Sequence, residues 1–201
     1  MKAGDDQQGF SLLEVLISLS VFTIVLFAVY TTFTASHRTF VRGEDKIELQ
    51  QTIRVAMGMA ASEIRTAGYD PSNPPVIPGL ASPTAIQDAK ANTLTFVADV
   101  DGNNVTDQVT YRLQGTQLIR DFASWGGAGF PAPVADQLAD GVNDLTFKYF
   151  DGNDSEIAAP VPAPSLTAIR RITIGLTVQA TGVGGQQTLP LTMDVRLRNV
   201  Q

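Results

Sequence analysis

The sequence contains no cysteine and a single histidine, His37. The absence of cysteine excludes disulfides, thiolate metal sites, iron–sulfur clusters and cysteine nucleophiles. A lone histidine also excludes a metal site built from several imidazoles. Most hydrolytic and redox chemistry therefore lacks the side chains it needs, and we expect a protein that is not an enzyme and has no cofactor.

Basic residues are outnumbered, since 14 Lys and Arg against 20 Asp and Glu give a formal net charge of −6. An acidic chain has no evident means of neutralising phosphates, so we expect no nucleic-acid partner. Proline is absent from the first third of the chain, and all 11 prolines lie at or after Pro71. At 201 residues, the length fits one ordinary domain with a long appendage.

Residues 15–36 form an uncharged run, VLISLSVFTIVLFAVYTTFTAS. As a helix, a run of this length spans roughly 33 Å, about the hydrocarbon thickness of a bilayer. The apolar core of a secretory signal peptide is shorter and ends at small residues, which Ala28-Val29-Tyr30 does not provide. We therefore predict a retained membrane helix in contact with membrane lipid.

The helical pattern continues beyond the apolar run. Apolar side chains recur at steps of three or four residues and predict one buried face. Gly68 is suited to a helix C-cap, and Pro71 prevents continuation soon after it. The residues of this predicted face are Leu49, Ile53, Met57, Ala60 and Ile64.

The remainder of the chain alternates between apolar and polar residues, as antiparallel strands with one buried face do. We therefore predict an α+β fold, in which a long N-terminal α-helix packs on an antiparallel β-sheet head. The helix has a transmembrane half and an amphipathic half. The alternating segments are 94–100, 109–113, 145–149, 172–178 and 191–197, with a short strand at 118–119.

The segment Gly9-Phe10-Ser11-Leu12-Leu13-Glu14-Val15-Leu16-Ile17 resembles the class III signal of type IV pilins and type II secretion pseudopilins. The resemblance implies a pilin-like fold and cleavage between Gly9 and Phe10 by prepilin peptidase. It also implies N-methylation of Phe10. Glu14 would be the fifth residue of the mature chain and would neutralise a neighbouring subunit's new N-terminus. Such a buried pair sets register more than it adds stability.

Two further segments narrow the resemblance. Ile64–Pro71, IRTAGYDP, and Val195–Asn199, VRLRN, resemble PilW-like minor pilins, although J-type minor pseudopilins of type II secretion share the same outline. The resemblance implies assembly or initiation of a type IV pilus in a tip or priming complex. The implied partners are prepilin peptidase, the major pilin, other minor pilins and the inner-membrane assembly platform.

Together these patterns predict a single-pass protein of the bacterial inner membrane with a periplasmic head, which enters a pilus or pseudopilus on assembly. One feature departs from the family. The leader MKAGDDQQG has one Lys and two Asp, whereas family leaders are usually positive, and Arg38 and Arg42 follow the helix. The positive-inside rule would favour the opposite orientation, whereas the processing motif implies a cytoplasmic leader. The predicted parts are a leader at 1–9, a transmembrane half at 10–36, an amphipathic half at 37–68 and a head at 69–201.

Other hypotheses remain open from the sequence. The chain could be a signal-anchored periplasmic binding or enzymatic domain, although His37 on the helix is an unsuitable general base. Asp99, Asp101 and Asn103 are candidate calcium ligands, but the distal glutamate of an EF-hand loop is absent and a plain hairpin turn is favoured. The glycine-rich segment 125–131 lacks the ending of a phosphate-binding loop. It is predicted to be a surface loop, in which Trp125 and Phe130 either contact a partner or anchor the loop.

Overall fold

The computed structural model describes residues 10–70, 85–182 and 185–199, without the side chains of residues 39, 41–49 and 180–187. The chain divides into two compact units, residues 1–44 and 45–201. The predicted leader, including Gly9, and most of the proline-rich connection lie outside the described residues.

The first element is a 55-residue helix, α1, Leu12–Thr66. Its segment Leu12–Arg38 has a mean hydropathy of 2.6 and is long and apolar enough to cross a membrane. None of the most apolar stretch in that segment is buried inside the protein. The length follows from the sequence, because nothing between Ser11 and Gly68 removes a backbone donor or forces a left-handed conformation.

The described part of the head contains two antiparallel sheets. The alternation of apolar and polar residues had predicted a single sheet. The first is a five-stranded meander in the order β1-β2-β3-β4-β5, and the second has the order β7-β6-β8-β9. The first sheet comprises β1 Ile86–Ala89, β2 Thr93–Ala98, β3 Asp107–Gln114, β4 Gln117–Ser124 and β5 Val134–Ala139. The second comprises β6 Val142–Phe150, β7 Glu156–Ile157, β8 Arg171–Gly182 and β9 Gly185–Arg196, with a 3₁₀-helix at Ala163–Ala168.

The second half of α1 contributes one face to the core of the head. The predicted face is confirmed at Ile53, Met57, Ala60 and Ile64, all of which are buried. The side chain of Leu49 is outside the described part. Met57 and Ala60 meet residues of both sheets around a small apolar cavity, namely Tyr111, Leu118, Leu145, Phe147, Ile174 and Leu176. Burying each such large apolar side chain contributes about 1.5–3 kcal/mol.

The end of the helix is tied to the end of the chain. Gly68 has the predicted left-handed backbone, with φ of 82°, and its N–H donates to the Val97 carbonyl at 2.9 Å. The Asn199 side-chain amide donates to the Thr66 carbonyl at 3.2 Å, and so pairs a carbonyl of the last helical turn. The two segments that carry the narrower resemblance therefore contact each other.

Candidate functional site

The start of α1 is a capping box formed by Ser11 and Glu14. The Glu14 N–H donates to the Ser11 hydroxyl at 3.2 Å, and the Ser11 N–H donates to the Glu14 carboxylate at 3.4 Å. A Ser followed three residues later by Glu satisfies two backbone donors that the helix leaves unpaired. The positive end of the helix dipole also favours a carboxylate in this turn. The sequence thus fixes the Glu14 carboxylate at the first turn.

Glu14 lies on a helix face that is otherwise nearly apolar. Phe10, Glu14, Ser18 and Phe22 recur every four residues and line one shallow groove with Val15 and Leu19. Phe10 precedes the helix and its side chain is 87% exposed. One carboxylate and one hydroxyl between two aromatic rings give this face a single polar centre.

The serine and threonine hydroxyls of the apolar helical span Leu12–Arg38 differ in their hydrogen-bond partners. Ser20 and Thr23 donate to the carbonyls of Leu16 and Leu19, each at 2.8 Å. Those hydroxyls are satisfied within the helix. Among the described residues the Ser18 hydroxyl has no such partner, so Ser18 is the position in this groove that can donate to a neighbouring group.

The loop between β2 and β3 holds the candidate calcium ligands. Oxygens of Asp99, Asp101 and Asp107 lie within 4.8 Å of one another. The side-chain oxygen of Asn103 instead accepts from the Val105 N–H at 2.7 Å. The structure therefore adds Asp107 to the two predicted aspartates, and the Asn103 side-chain amide donates to the Asp101 carboxylate at 2.9 Å.

These carboxylates already hold the loop in shape. Asp99 accepts from the backbone N–H groups of Gly102 at 2.8 Å and Asn104 at 3.1 Å. Asp107 accepts from the Ser124 hydroxyl at 2.5 Å and the Val100 N–H at 3.2 Å. Burial raises the pKa of Asp107 above its usual value, and these hydrogen bonds oppose the rise.

The calcium hypothesis stays a prediction. A calcium-dependent rise in unfolding temperature that Asp101→Asn abolishes would support it.

The glycine-rich loop adjoins the aspartate cluster, because the Trp125 N–H donates to the Thr106 carbonyl at 2.9 Å. The rings of Trp125 and Phe130 are half-buried and meet edge to face, with centroids 5.1 Å apart. Their mutual contact favours the loop-anchor interpretation. His37 is exposed on α1, where its ring stacks on that of Phe33.

Sequence reasoning missed a charged cluster inside the head. Arg120 on β4 contacts Glu63 of α1 at 2.9 Å, and their side chains are 9% and 12% exposed. The Tyr111 hydroxyl donates to the same carboxylate at 2.6 Å. Burial and the adjacent Glu63 charge raise the pKa of Tyr111 far above its usual value. The available signal was the position of Glu63, three residues after Ala60 on the apolar face of the helix.

Comparison with known proteins finds a known motif that includes the start of the helix. Residues 5–30 match the model of the prokaryotic N-terminal methylation motif. A search of curated proteins finds no sequence match to this chain. Among solved structures, the chain is similar to a type IV-like pilin from Thermus thermophilus, with a TM-score of 0.51 and 12% sequence identity. The similarity covers 76% of this chain and 98% of that pilin.

These findings confirm the predicted fold class. The motif and the fold together point to a structural pilin and not to an enzyme. The chain carries the prokaryotic N-terminal methylation motif at the start of an exposed apolar helix, and its fold is similar to that of a type IV-like pilin.

Proposed function

We propose that this chain is a PilW-like minor pilin that acts in the assembly or initiation of a type IV pilus, within a tip or priming complex. The observation that carries the proposal is the methylation motif at residues 5–30, which extends into the unburied apolar span Leu12–Arg38. The contact between the helix end and the C-terminal VRLRN segment supports the PilW-like assignment, because both segments that resemble that family form one local structure.

Processing takes place at the start of this helix. Prepilin peptidase hydrolyses the Gly9–Phe10 bond and removes residues 1–9, and the new amino group of Phe10 is N-methylated. Phe10 lies outside α1 and is exposed, so the scissile bond does not need helix unwinding. A glycine before the cut has no Cβ to obstruct a protease pocket.

Glu14 serves assembly after processing. An uncompensated carboxylate in a membrane segment costs about 2.5–3.5 kcal/mol on insertion scales. The capping box offsets part of that cost with neutral donors, and the methylated ammonium of a neighbouring subunit supplies the missing positive charge. A pair that forms only in one relative position of two helices fixes their register.

The same proposal assigns place and partners. The leader 1–9 is cytoplasmic, residues 10–36 cross the inner membrane once, and residues 37–68 lead into the periplasmic head at 69–201. The partners are prepilin peptidase, the assembly platform, the major pilin and other minor pilins. Helices in lipid associate through packing and polar contacts, and the groove around Glu14 and Ser18 offers both.

The alternative is a minor pseudopilin of a type II secretion system, which fits the same motif and helix–sheet outline. Deletion of the gene distinguishes the two machines, because it would reduce surface pili in one case and secretion of exported enzymes in the other. A signal-anchored binding or enzymatic domain is the second alternative, and it predicts no dependence on Glu14.

Replacement of Glu14 tests the assembly role. We expect Glu14→Leu to be processed normally but absent from sheared fibres, because it removes the partner of the neighbouring ammonium. Glu14→Gln, which keeps the shape and the cap acceptor, is the matched control and should be impaired to a similar degree if charge is what matters. Incorporation of Glu14→Leu at the wild-type level would contradict the role.

A further inference from the structure

A cleft at one end of the second sheet concentrates positive charge in an otherwise acidic protein. Three arginines and two aspartates line it, together with Gly152 and Leu197. We call it the arginine cleft, and its charged members are Arg170, Arg171, Arg196, Asp151 and Asp154.

Two arginines of this cleft lie directly opposite each other on neighbouring strands. Arg171 and Arg196 are direct register partners on β8 and β9, and like charges opposite each other destabilise a sheet. Asp154 contacts both, Arg171 at 3.0 Å and Arg196 at 3.5 Å, and Asp194 contacts Arg171 at 3.5 Å. The two arginines hold the pKa of Asp154 below its usual value.

Arg170 has no carboxylate partner in the described part of the chain. Its guanidinium donates only to the backbone carbonyls of Thr167 at 2.6 Å and Ile169 at 3.0 Å. Arg196 is 77% exposed on its side chain. Two guanidinium groups therefore face the cleft with most of their donors unused.

The frame around these groups is fixed. The Arg171 guanidinium carbon lies 3.7 Å from the centroid of the Phe150 ring. The Asp151 carboxylate holds the turn opposite, accepting from the N–H groups of Asn153 at 2.8 Å and Ser155 at 2.9 Å. These contacts order Arg171 and the opposite turn, so little freedom of these parts is lost when a ligand enters.

We propose that the arginine cleft binds the carboxylate of an acidic side chain on a neighbouring protein subunit, with Arg170 and Arg196 as its direct contacts. Arg171 contacts Asp154 and Asp194, and Arg196 contacts Asp154, whereas Arg170 contacts no carboxylate among the described residues. The single uncompensated guanidinium of Arg170 matches a monoanion. A phosphate dianion is disfavoured because Asp151 and Asp154 face it. The planar guanidinium matches a carboxylate through two parallel hydrogen bonds. The proposal rests on the proposed function, in that the neighbour is another subunit of the same fibre.

The test uses the full chain in detergent micelles, with its arginines labelled with ¹⁵N. The probe is a capped Gly-Glu-Glu-Gly peptide, compared at constant ionic strength with Gly-Gln-Gln-Gly and with inorganic phosphate. We expect saturable shifts of the Arg170 and Arg196 Nε–H signals with the glutamate peptide alone. Arg196→Gln, at an exposed position, should weaken binding at least fivefold, whereas Arg54→Gln on the exposed helix face should not change it.

Equal shifts with the glutamine peptide, or no shift with any probe, would overturn the proposal. Tighter binding of phosphate would also overturn it in favour of a phosphate site. In sheared fibres, Arg170→Glu combined with Arg196→Glu should lower incorporation while Phe10 processing remains normal. Absence of the wild-type protein from fibres would instead count against the proposed function. The peptide titration would still show whether the arginine cleft binds a carboxylate.

Discussion

Gly68, just after the helix, contacts both β2, through Val97, and Asn199 near the C-terminus. A Cβ at this position would lie 3.0 Å from the Ala85 Cβ and 3.1 Å from the Asn199 carbonyl oxygen, and φ is 82°. A left-handed backbone alone costs a non-glycine residue roughly 1–2 kcal/mol. The crowding adds to that cost.

We therefore expect Gly68→Ala to lower the free energy of unfolding of the head by more than about 2 kcal/mol. Gly115→Ala is the matched control, because Gly115 has φ of 62° and open space around its Cβ position. Denaturation followed by the fluorescence of the single tryptophan, Trp125, measures both. Equal losses for the two variants would show that crowding at Gly68 contributes nothing.

Asp107 makes the stability of the head depend on pH. Its pKa is raised by burial, so the folded chain keeps the proton to a higher pH than the unfolded chain does. Its contribution is therefore most favourable below its usual pKa of 3.8 and is lost as the pH rises through the folded pKa. Asp154 has the opposite sign, since its pKa is lowered and its contribution is lost as the pH falls.

The Asp107→Asn variant isolates this effect. Asn keeps an oxygen that can accept from the Ser124 hydroxyl but does not ionise. We expect the free energy of unfolding of the variant to rise relative to wild type as the pH increases from about 4 to 6. A constant difference across that range, measured by urea denaturation, would contradict the assigned burial effect.

At the scale of elements, the Glu63–Arg120 pair attaches the amphipathic half of α1 to the first sheet. Removing one member of a buried pair costs about 3–5 kcal/mol when the other charge is left uncompensated. Arg120 would keep a 3.4 Å contact with the exposed Asp136, so we expect Glu63→Ala to destabilise the head by about 3 kcal/mol, the lower end of that range. Glu63→Gln should cost less, because an amide oxygen can still accept from Tyr111 and Arg120.

The pair of Asp88 with Lys90 gives the control for Glu63. Its side chains are 40% and 56% exposed, so Asp88→Ala should cost less than about 1 kcal/mol. Thermal unfolding of the three variants orders the effects. A loss for Glu63→Ala as small as that for Asp88→Ala would show that the buried cluster does not hold the helix to the sheet.

The elements that the sequence predicted are those with one clear periodicity. The helix face at Ile53, Met57, Ala60 and Ile64 and the alternating strand at 172–178 were predictable because burial imposes a fixed spacing on each. β5 was not predicted, because four of its six residues are exposed and show no alternation of buried and exposed positions. The division into two sheets was also unpredictable, since alternation identifies the buried face of a strand but not its partner.

The candidate sites also differ in how far the sequence predicts them. The segment Gly9–Ile17, which lies within the methylation motif at residues 5–30, was readable because it is contiguous in sequence. The arginine cleft unites residues 151–154, 170–171 and 196–197, and only strand register brings them together. Glu63 and Arg120 are 57 positions apart in sequence, so the pair was hidden even though Glu63 lies on the apolar face.

At the scale of the whole molecule, an exposed apolar helix and a folded head serve different environments. The most apolar stretch of Leu12–Arg38 is not buried inside the protein and is long enough to cross a membrane. The head buries its own core from Ile53 to Leu197. We therefore expect the protein to fractionate with membranes before assembly and to need detergent for extraction, with a head that unfolds cooperatively in the micelle.

Processing of this chain as a prepilin is tested by the N-terminal residue and the intact mass of protein purified from host membranes. We expect a chain that begins at N-methylated Phe10. A chain that retains Met1 although active prepilin peptidase is present, or one cut beyond Ser36, would contradict it.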